Sequence, residues 1–408
     1  MSRRTQDRRT FLKTIAAGAA ASGSAVTGIL RAGQAPERRI VRDGMAYRRL
    51  GRTGLLVSEI SLGSSPLPDP DLLRAVIDRG VNYIDTSHNY ENGNSERKIG
   101  RLLKDVGRDK VFVATKFHVE PRDTPETIAA SVHGSLRRLD VETIDVLMIH
   151  GAETAGVLVD ARVVEAYERL KKEGAYRFRG LSCHANQDEV VRKAVDCGLY
   201  DMVQVGYNVF DIQETAREVE TYPDYLGASG LRALIALAHS RDVGVVAMKT
   251  LKVGGRRQDL GKYRTGSASL YQAMLKWVLD DERVTTALIE ILNRREMEED
   301  LGAAGAKLAE DERATLARHV RECGGDYCHG CALCRRACPA GIATTTILRA
   351  LAYHESYGKT GRARDVYGSL EAGERAEACR DCGACEKACP YGVGVRRRIR
   401  EAAQICQA

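Results

Sequence analysis

From Leu55 onward, short apolar runs alternate with longer segments of helical periodicity. LLVSEISLG (55–63) predicts a strand, and PDLLRAVIDRG (70–80) a helix with Leu72, Leu73, Val76 and Ile77 on one face. The alternation then repeats. NYIDT precedes SERKIGRLLKDVG, VFVATK precedes TPETIAASVHGSLRRL, and IDVLMIH precedes DARVVEAYERLKKEG. FRGLSCH pairs with QDEVVRKAVDCG, MVQVGYN with SGLRALIALAHSRDVG, GVVAMKT with SASLYQAMLKWVLDD, and VTTALIEI with NRREMEEDLGAAG. Eight β–α units over about residues 55–304 have the number and length of a (β/α)8 TIM barrel, an α/β fold. A doubly wound sheet also alternates, but the strand count argues against it.

Barrels of this kind carry their chemistry on the loops that follow the strands. Asp85 ends the NYID run, Tyr90 follows five residues later, Lys116 ends VFVATK and His150 ends DVLMIH. Each alone has a plainer explanation: a helix cap, a core aromatic, a solvated lysine. Together they form a proton-handling set. A phenol titrates near ~10, and an adjacent ammonium stabilises phenolate and pulls that value down. On this reading Lys116 lowers the Tyr90 value, Asp85 holds Lys116 charged, His150 hydrogen-bonds a carbonyl oxygen and Tyr90 donates the proton.

The DTSxxY segment and the LLRAVIDRGVNYIDT that contains its start closely resemble the aldo-keto reductase family. The resemblance implies the same four roles and a nicotinamide cofactor, NADP(H) or NAD(H), with a small carbonyl or alcohol as substrate. It also implies that Ser182 and Cys183 stand where the family has Ser-Asn on the nicotinamide carboxamide, with Gln204 sharing that task. Met248 stands where many members place an aromatic ring. Lys249 and the loop Lys252–Gly255 are candidates to meet the pyrophosphate. After the eighth strand the family's Ile-Pro-Gly turn is replaced by Ile289-Glu290-Ile291. Arg294 and Arg295 at the following helix start suit a 2′-phosphate, whereas Glu290 opposes one.

Ten of the twelve cysteines lie after residue 320. Cys328-x2-Cys331-x2-Cys334-x3-Cys338-Pro339 is followed by Cys379-x2-Cys382-x2-Cys385-x3-Cys389-Pro390. Each is the bacterial ferredoxin run for a 4Fe-4S cluster. A disulfide scaffold needs no such doubled spacing, and zinc sites pair two CxxC knuckles instead. Because the proline-adjacent cysteine usually reaches the other cluster, one cluster is assigned to Cys328, Cys331, Cys334 and Cys389. The second falls to Cys379, Cys382, Cys385 and Cys338. The segment between the runs, with ATTTILRALAYHESYG, reads as helical. Cys323 and Cys406 have no assigned role.

Charge changes the picture only at the start of the chain. The formal net charge is +7, but residues 1–52 hold twelve Arg/Lys against three Asp/Glu. The remainder is slightly acidic, which argues against a nucleic-acid surface. DRRTFLK and the Ala/Gly-rich run to Leu30 resemble a twin-arginine export signal. The run is too short and weakly apolar for a stable membrane span. Export machinery and a periplasmic or exported location are therefore expected, with a disordered basic tail on a cytoplasmic protein as the alternative.

The expected organisation is a signal segment over 1–35, a barrel over 45–305, a connecting helix over 306–322 and a small, mainly helical ferredoxin-like domain over 323–408. Some aldo-keto reductase relatives carry such a tail. The leading expectation is hydride exchange in the barrel, with two clusters passing electrons to or from a redox partner protein. A hydride carries two electrons and no flavin motif is present, so a flavin or a partner is expected between the halves. The alternative is an electron-transfer protein whose barrel is a docking or sensing scaffold without turnover.

Overall fold

The structure is a computed structural model that describes residues 39–212, 230–251, 260, 263 and 268–407. The expected export signal and the loop Lys252–Gly255 lie outside the described residues.

The described chain opens with an antiparallel sheet of β1 (Arg39–Arg42), β2 (Met45–Arg49) and β3 (Leu56–Ser58). Eight strands then close a parallel barrel: β4 (Ile60–Gly63), β5 (Tyr83–Asp85), β6 (Phe112–Phe117), β7 (Ile144–Ile149), β8 (Tyr176–Cys183), β9 (Met202–Gly206), β10 (Gly244–Met248) and β11 (Thr286–Ile289). Closure is made by β11 against β4, with Ala287 opposite Ile60.

LLVSEISLG is thus not one strand, as the sequence suggests, but two that belong to different sheets. The break comes at Ser58 and Glu59. Ser58 N donates to the Asn82 side chain at 2.8 Å and its hydroxyl to Ile60 O at 2.7 Å. Glu59 is buried and accepts from Arg48 at 2.8 Å and Arg39 at 2.7 Å, so ion pairing rather than apolar periodicity sets its direction.

The small sheet plugs the N-terminal end of the barrel. Leu50, Leu55 and Val57 pack in one cluster with the inward-facing Tyr83, Ala114, Val146, Met202 and Val246. Gly51 passes so close to the start of β10 that a Cβ there would lie 2.2 Å from Gly244 N, and its φ is +47°. Only glycine fits that approach.

The helices are α1 (Pro70–Asp78), α2 (Asn94–Val106), α3 (Pro125–Leu139), α4 (Ala161–Lys172), α5 (Gln187–Cys197), α6 (Gly230–Ser240), α7 (Leu270–Asp280) and α8 (Arg294–Leu301). Several starts are written locally. Asp69 accepts from Asp71 N and Leu72 N ahead of Pro70, and Thr124 forms a capping box with Thr127 ahead of Pro125.

Beyond the barrel come α9 (Glu310–Cys323), α10 (Leu333–Arg336), α11 (Thr344–Glu355), α12 (Thr360–Gly368), α13 (Ala384–Lys387) and α14 (Val395–Gln407). The short α10 and α13 are counterparts. Each holds the third cysteine of its run, Cys334 or Cys385, and each follows a left-handed residue, Ala332 or Gly383. A second core joins Cys334, Cys385 and Cys389 to Ile347, Leu351 and Ile399. No helix of the described residues is long and apolar enough to cross a membrane.

Candidate functional site at the barrel mouth

The four sequence-selected residues gather at the C-terminal end of the barrel. Lys116 Nζ donates to Asp85 Oδ1 at 2.6 Å and to Thr86 O at 2.7 Å, and all three residues are buried. Burial raises the Asp85 carboxyl and lowers the Lys116 ammonium, and their mutual contact opposes both shifts. The ammonium stands 5.0 Å from the centre of the Tyr90 ring, and the Tyr90 and His150 rings meet edge to face at 5.7 Å.

Tyr90 departs from expectation. Burial, followed by the Asp85 charge, pushes its phenol well above the ordinary value. Lys116 is engaged by Asp85 and a carbonyl, so it does not pull the phenol down. Tyr90 is therefore held as the neutral, proton-bearing form at pH 7.

His150 lies within 3.0 Å of Ser87 Oγ through Nδ1. His118 stacks on it at 4.3 Å. Asn89 continues the chain, 2.9 Å from Ser87 Oγ and 3.0 Å from His118 Nε2. Burial lowers His118 to about 4, and it lowers His150 and His184 well below the usual imidazole value. All three are neutral at pH 7. The unfolded chain protonates them near 6.5, above their folded values, so it binds more protons between those limits. Stability is then full above about pH 6.5 and is lost as pH falls toward 4. Thermal melting followed over that range is expected to show this loss, with a shallower slope in His118→Asn; an unchanged slope would exclude His118 as a contributor.

A cavity of about 590 Å³ opens over these groups. Asp85, Tyr90, His118, His150, His184, Gln204, Met248 and Lys249 border it from the barrel. Its opposite wall comes from α11, α12 and the turn between them, through Arg349, Tyr353, Tyr357, Lys359 and Arg362. Sequence reading found the helix but not this wall, because nothing local in ATTTILRALAYHESYG signals what it covers. Lys359 Nζ meets Glu290 at 2.7 Å, so the carboxylate expected to oppose a phosphate is already paired.

The nicotinamide candidates divide. Gln204 and Met248 border the cavity 3.7 Å apart (Nε2 to Sδ), and Gln204 Oε1 has no hydrogen-bond partner among the described residues. A buried, unpaired carbonyl oxygen suits an amide donor. Lys249 borders the cavity too. Ser182 and Cys183 do not. The Ser182 hydroxyl accepts from Gly151 N at 3.0 Å, and the Cys183 thiol donates to Ala185 O at 3.0 Å. At this strand end it is His184 that borders the cavity. Arg294 and Arg295 are exposed at the start of α8 and are absent from the wall, because Asn293 caps the helix and turns its first residues to solvent. The residues present thus fit the nicotinamide end of the cofactor, whereas the arginines expected to meet a 2′-phosphate are exposed between Leu292 and Glu296, which border the cavity.

In the C-terminal region, Cys328, Cys331, Cys334 and Cys389 line one small cavity with Thr345 and Leu348. Burial pushes the Cys331 thiol well up and Cys334 to about 12, and the neighbouring thiols push the same way. Four such thiols ionise together only around a strongly positive centre. Among the described residues, no three His, Cys, Asp or Glu side chains converge as a single ion requires. Four cysteines on one cavity, three of them from one CxxCxxC run, are a donor set that suits a 4Fe-4S cluster. Cys338, Cys379 and Cys385 share the second core, and Cys382 is exposed. Cys323 ends α9 and Cys406 sits in α14.

The aldo/keto reductase family model matches residues 69–263, and the 4Fe-4S dicluster domain model matches residues 327–393. The chain combines an aldo/keto reductase domain with a 4Fe-4S dicluster domain. It is similar to a probable aldo-keto reductase of Glycine max, 25% identical over 69% of this chain and 92% of that protein. It is 30% identical to L-galactose dehydrogenase of Arabidopsis thaliana over 51% of this chain and 66% of that protein. Among solved structures, an aldo-keto reductase from Klebsiella pneumoniae in complex with NADPH superposes with a TM-score of 0.53 at 23% identity, covering 66% of this chain and 93% of that one. A Bacillus halodurans aldo-keto reductase in its holo form gives 0.52 at 23% identity, over 67% and 95%. These structural likenesses extend the fold assignment of the reductase domain. The family makes the protein an oxidoreductase.

Proposed function

We propose that the protein reduces a small carbonyl compound, or oxidises the corresponding alcohol, in the reductase barrel, and that two 4Fe-4S clusters exchange single electrons with a redox partner, with a flavin or that partner dividing the two electrons of the hydride between the halves. Gln204 and Met248 would hold the nicotinamide of NAD(P)H, which would supply the hydride, so that carbonyl, NAD(P)H and one proton would give alcohol and NAD(P)+. Tyr90 supplies that proton. The His150 ring orients the carbonyl oxygen, and the Asp85–Lys116 pair fixes the floor on which Tyr90 stands. The wall from α11 and α12 limits water around the reacting carbon. A twin-arginine signal fits such a protein, because folded-state export allows clusters to be inserted before the membrane is crossed.

The observation that carries the coupling is continuity between the two sites. His184, Lys249 and Arg349 border both the barrel cavity and a small neighbouring one. Cys328, His329, Thr345 and Leu348 border that neighbour and also the four-thiol cavity. Two sets of side chains with a small cavity between them therefore lie between the reductase site and a cluster site.

Anaerobic titration of the full protein with NADPH, followed by visible absorbance and EPR, tests this reading. Bleaching by NADPH is the expected result. Bleaching by dithionite alone would leave the clusters unfed by nicotinamide. The displaced Ser182, Cys183, Arg294 and Arg295 would then favour the second reading, an electron-transfer protein with a scaffold barrel.

A further inference from the structure

The carboxylates that border the barrel cavity are matched within the chain, whereas two cations there, Lys249 and Arg362, have no hydrogen-bonded or ion-paired side-chain partner among the described residues. Asp85 is held by Lys116 at 2.6 Å, Glu153 by Arg349, and Glu290 by Lys359 at 2.7 Å. Glu296 accepts from Leu292 N at 2.7 Å. Arg362, on α12, borders the same cavity, yet it makes no hydrogen bond or ion pair among the described residues. It is not remote from the chemistry. Its charge pulls on Tyr90, His118 and His150 alike, favouring phenolate and neutral imidazole. A guanidinium at the exposed rim of the cavity, near a proton donor, matches a carboxylate or phosphate better than any neutral group.

We propose that the cavity takes a small anionic carbonyl compound, with its carboxylate or phosphate held by Arg362 from the cluster domain and its carbonyl at Tyr90 and His150. The dicluster domain is then also the specificity element of the reductase. The volume of about 590 Å³ limits the substrate to a few carbons beside a nicotinamide ring. This inference rests on the carbonyl-reduction reading above.

The test compares kcat/KM for two matched pairs, succinic semialdehyde against butanal and glyceraldehyde 3-phosphate against glyceraldehyde, in the full protein. In the native chain the anionic member of at least one pair is expected to be favoured, and that pair identifies the anion. In Arg362→Gln the anionic-to-neutral ratio is expected to fall by about tenfold to a hundredfold, the value of one charge-assisted hydrogen bond, with partial recovery in Arg362→Lys. A native ratio near one, or a ratio unchanged in Arg362→Gln, would overturn the proposal. Should none of the four compounds turn over, the carbonyl-reduction reading fails for them, and calorimetry with succinate and with inorganic phosphate decides the anion site separately. Binding that weakens in Arg362→Gln supports the site, and equal or absent binding in the two proteins removes it.

Discussion

Tyr90→Phe lowers carbonyl reduction by about 10²- to 10⁴-fold, the range for loss of a positioned general acid, while nicotinamide binding and the cluster spectrum persist. The size of the expected loss follows from the lack of a substitute donor nearby. Lys116 spends its protons on Asp85 at 2.6 Å and Thr86 O at 2.7 Å. His150 and His118 are held neutral by burial, and His118 charges only near pH 4. The phenol, pushed upward by burial and by Asp85, keeps its proton until a developing alkoxide draws it away. Removing one oxygen from a ring that stays packed against His150 at 5.7 Å leaves the cavity's shape intact. Steady-state turnover with fluorescence titration of NADPH separates chemistry from binding. Native turnover in the variant would take Tyr90 out of the mechanism.

The second large effect concerns iron. Cys389→Ala is expected to lower iron from about eight to about four per chain and to remove the cluster of the first cysteine run, not that of its own. The reason is spatial: Cys389 lines the cavity formed by Cys328, Cys331 and Cys334. The EPR spectrum of reduced Cys389→Ala should therefore match that of Cys328→Ala and differ from that of Cys379→Ala. A match with Cys379→Ala instead would mean that each run ligates its own cluster. Iron left at eight would mean that Cys389 is not a ligand.

Much of the fold was legible because its signals are local. Helical periodicity, caps such as Asp69 and Thr124, and β-prone runs ending in Asp85, Lys116 and His150 announce eight repeats without reference to anything distant. The cysteine spacings are equally local. What was not legible depends on contacts remote in sequence. Glu59 divides an apparent strand because Arg39 and Arg48 claim it. Ser182 turns from the cavity because Gly151 N needs an acceptor. Arg294 and Arg295 at a helix start suit an anion by sequence, and the capped start of α8 leaves them in solvent. The Tyr90 shift reversed sign because proximity to Lys116 was visible in the pattern and the depth of burial was not. His118, which stacks on His150, carries no motif at all; its position just past the end of β6 was the only signal.

The barrel cavity has walls from two parts of the chain that are synthesised far apart. Asp85, Tyr90 and His150 belong to the first half, whereas Arg349, Tyr353 and Arg362 lie between the two cysteine runs. Those later residues are carried on helices that pack into the same core as Cys334, Cys385 and Cys389. The wall over the barrel cavity is thus supplied by the later part of the chain, and it rests on the cysteine core. A chain that has built only its barrel lacks that wall, so the cavity is complete only when the cysteine core is in place.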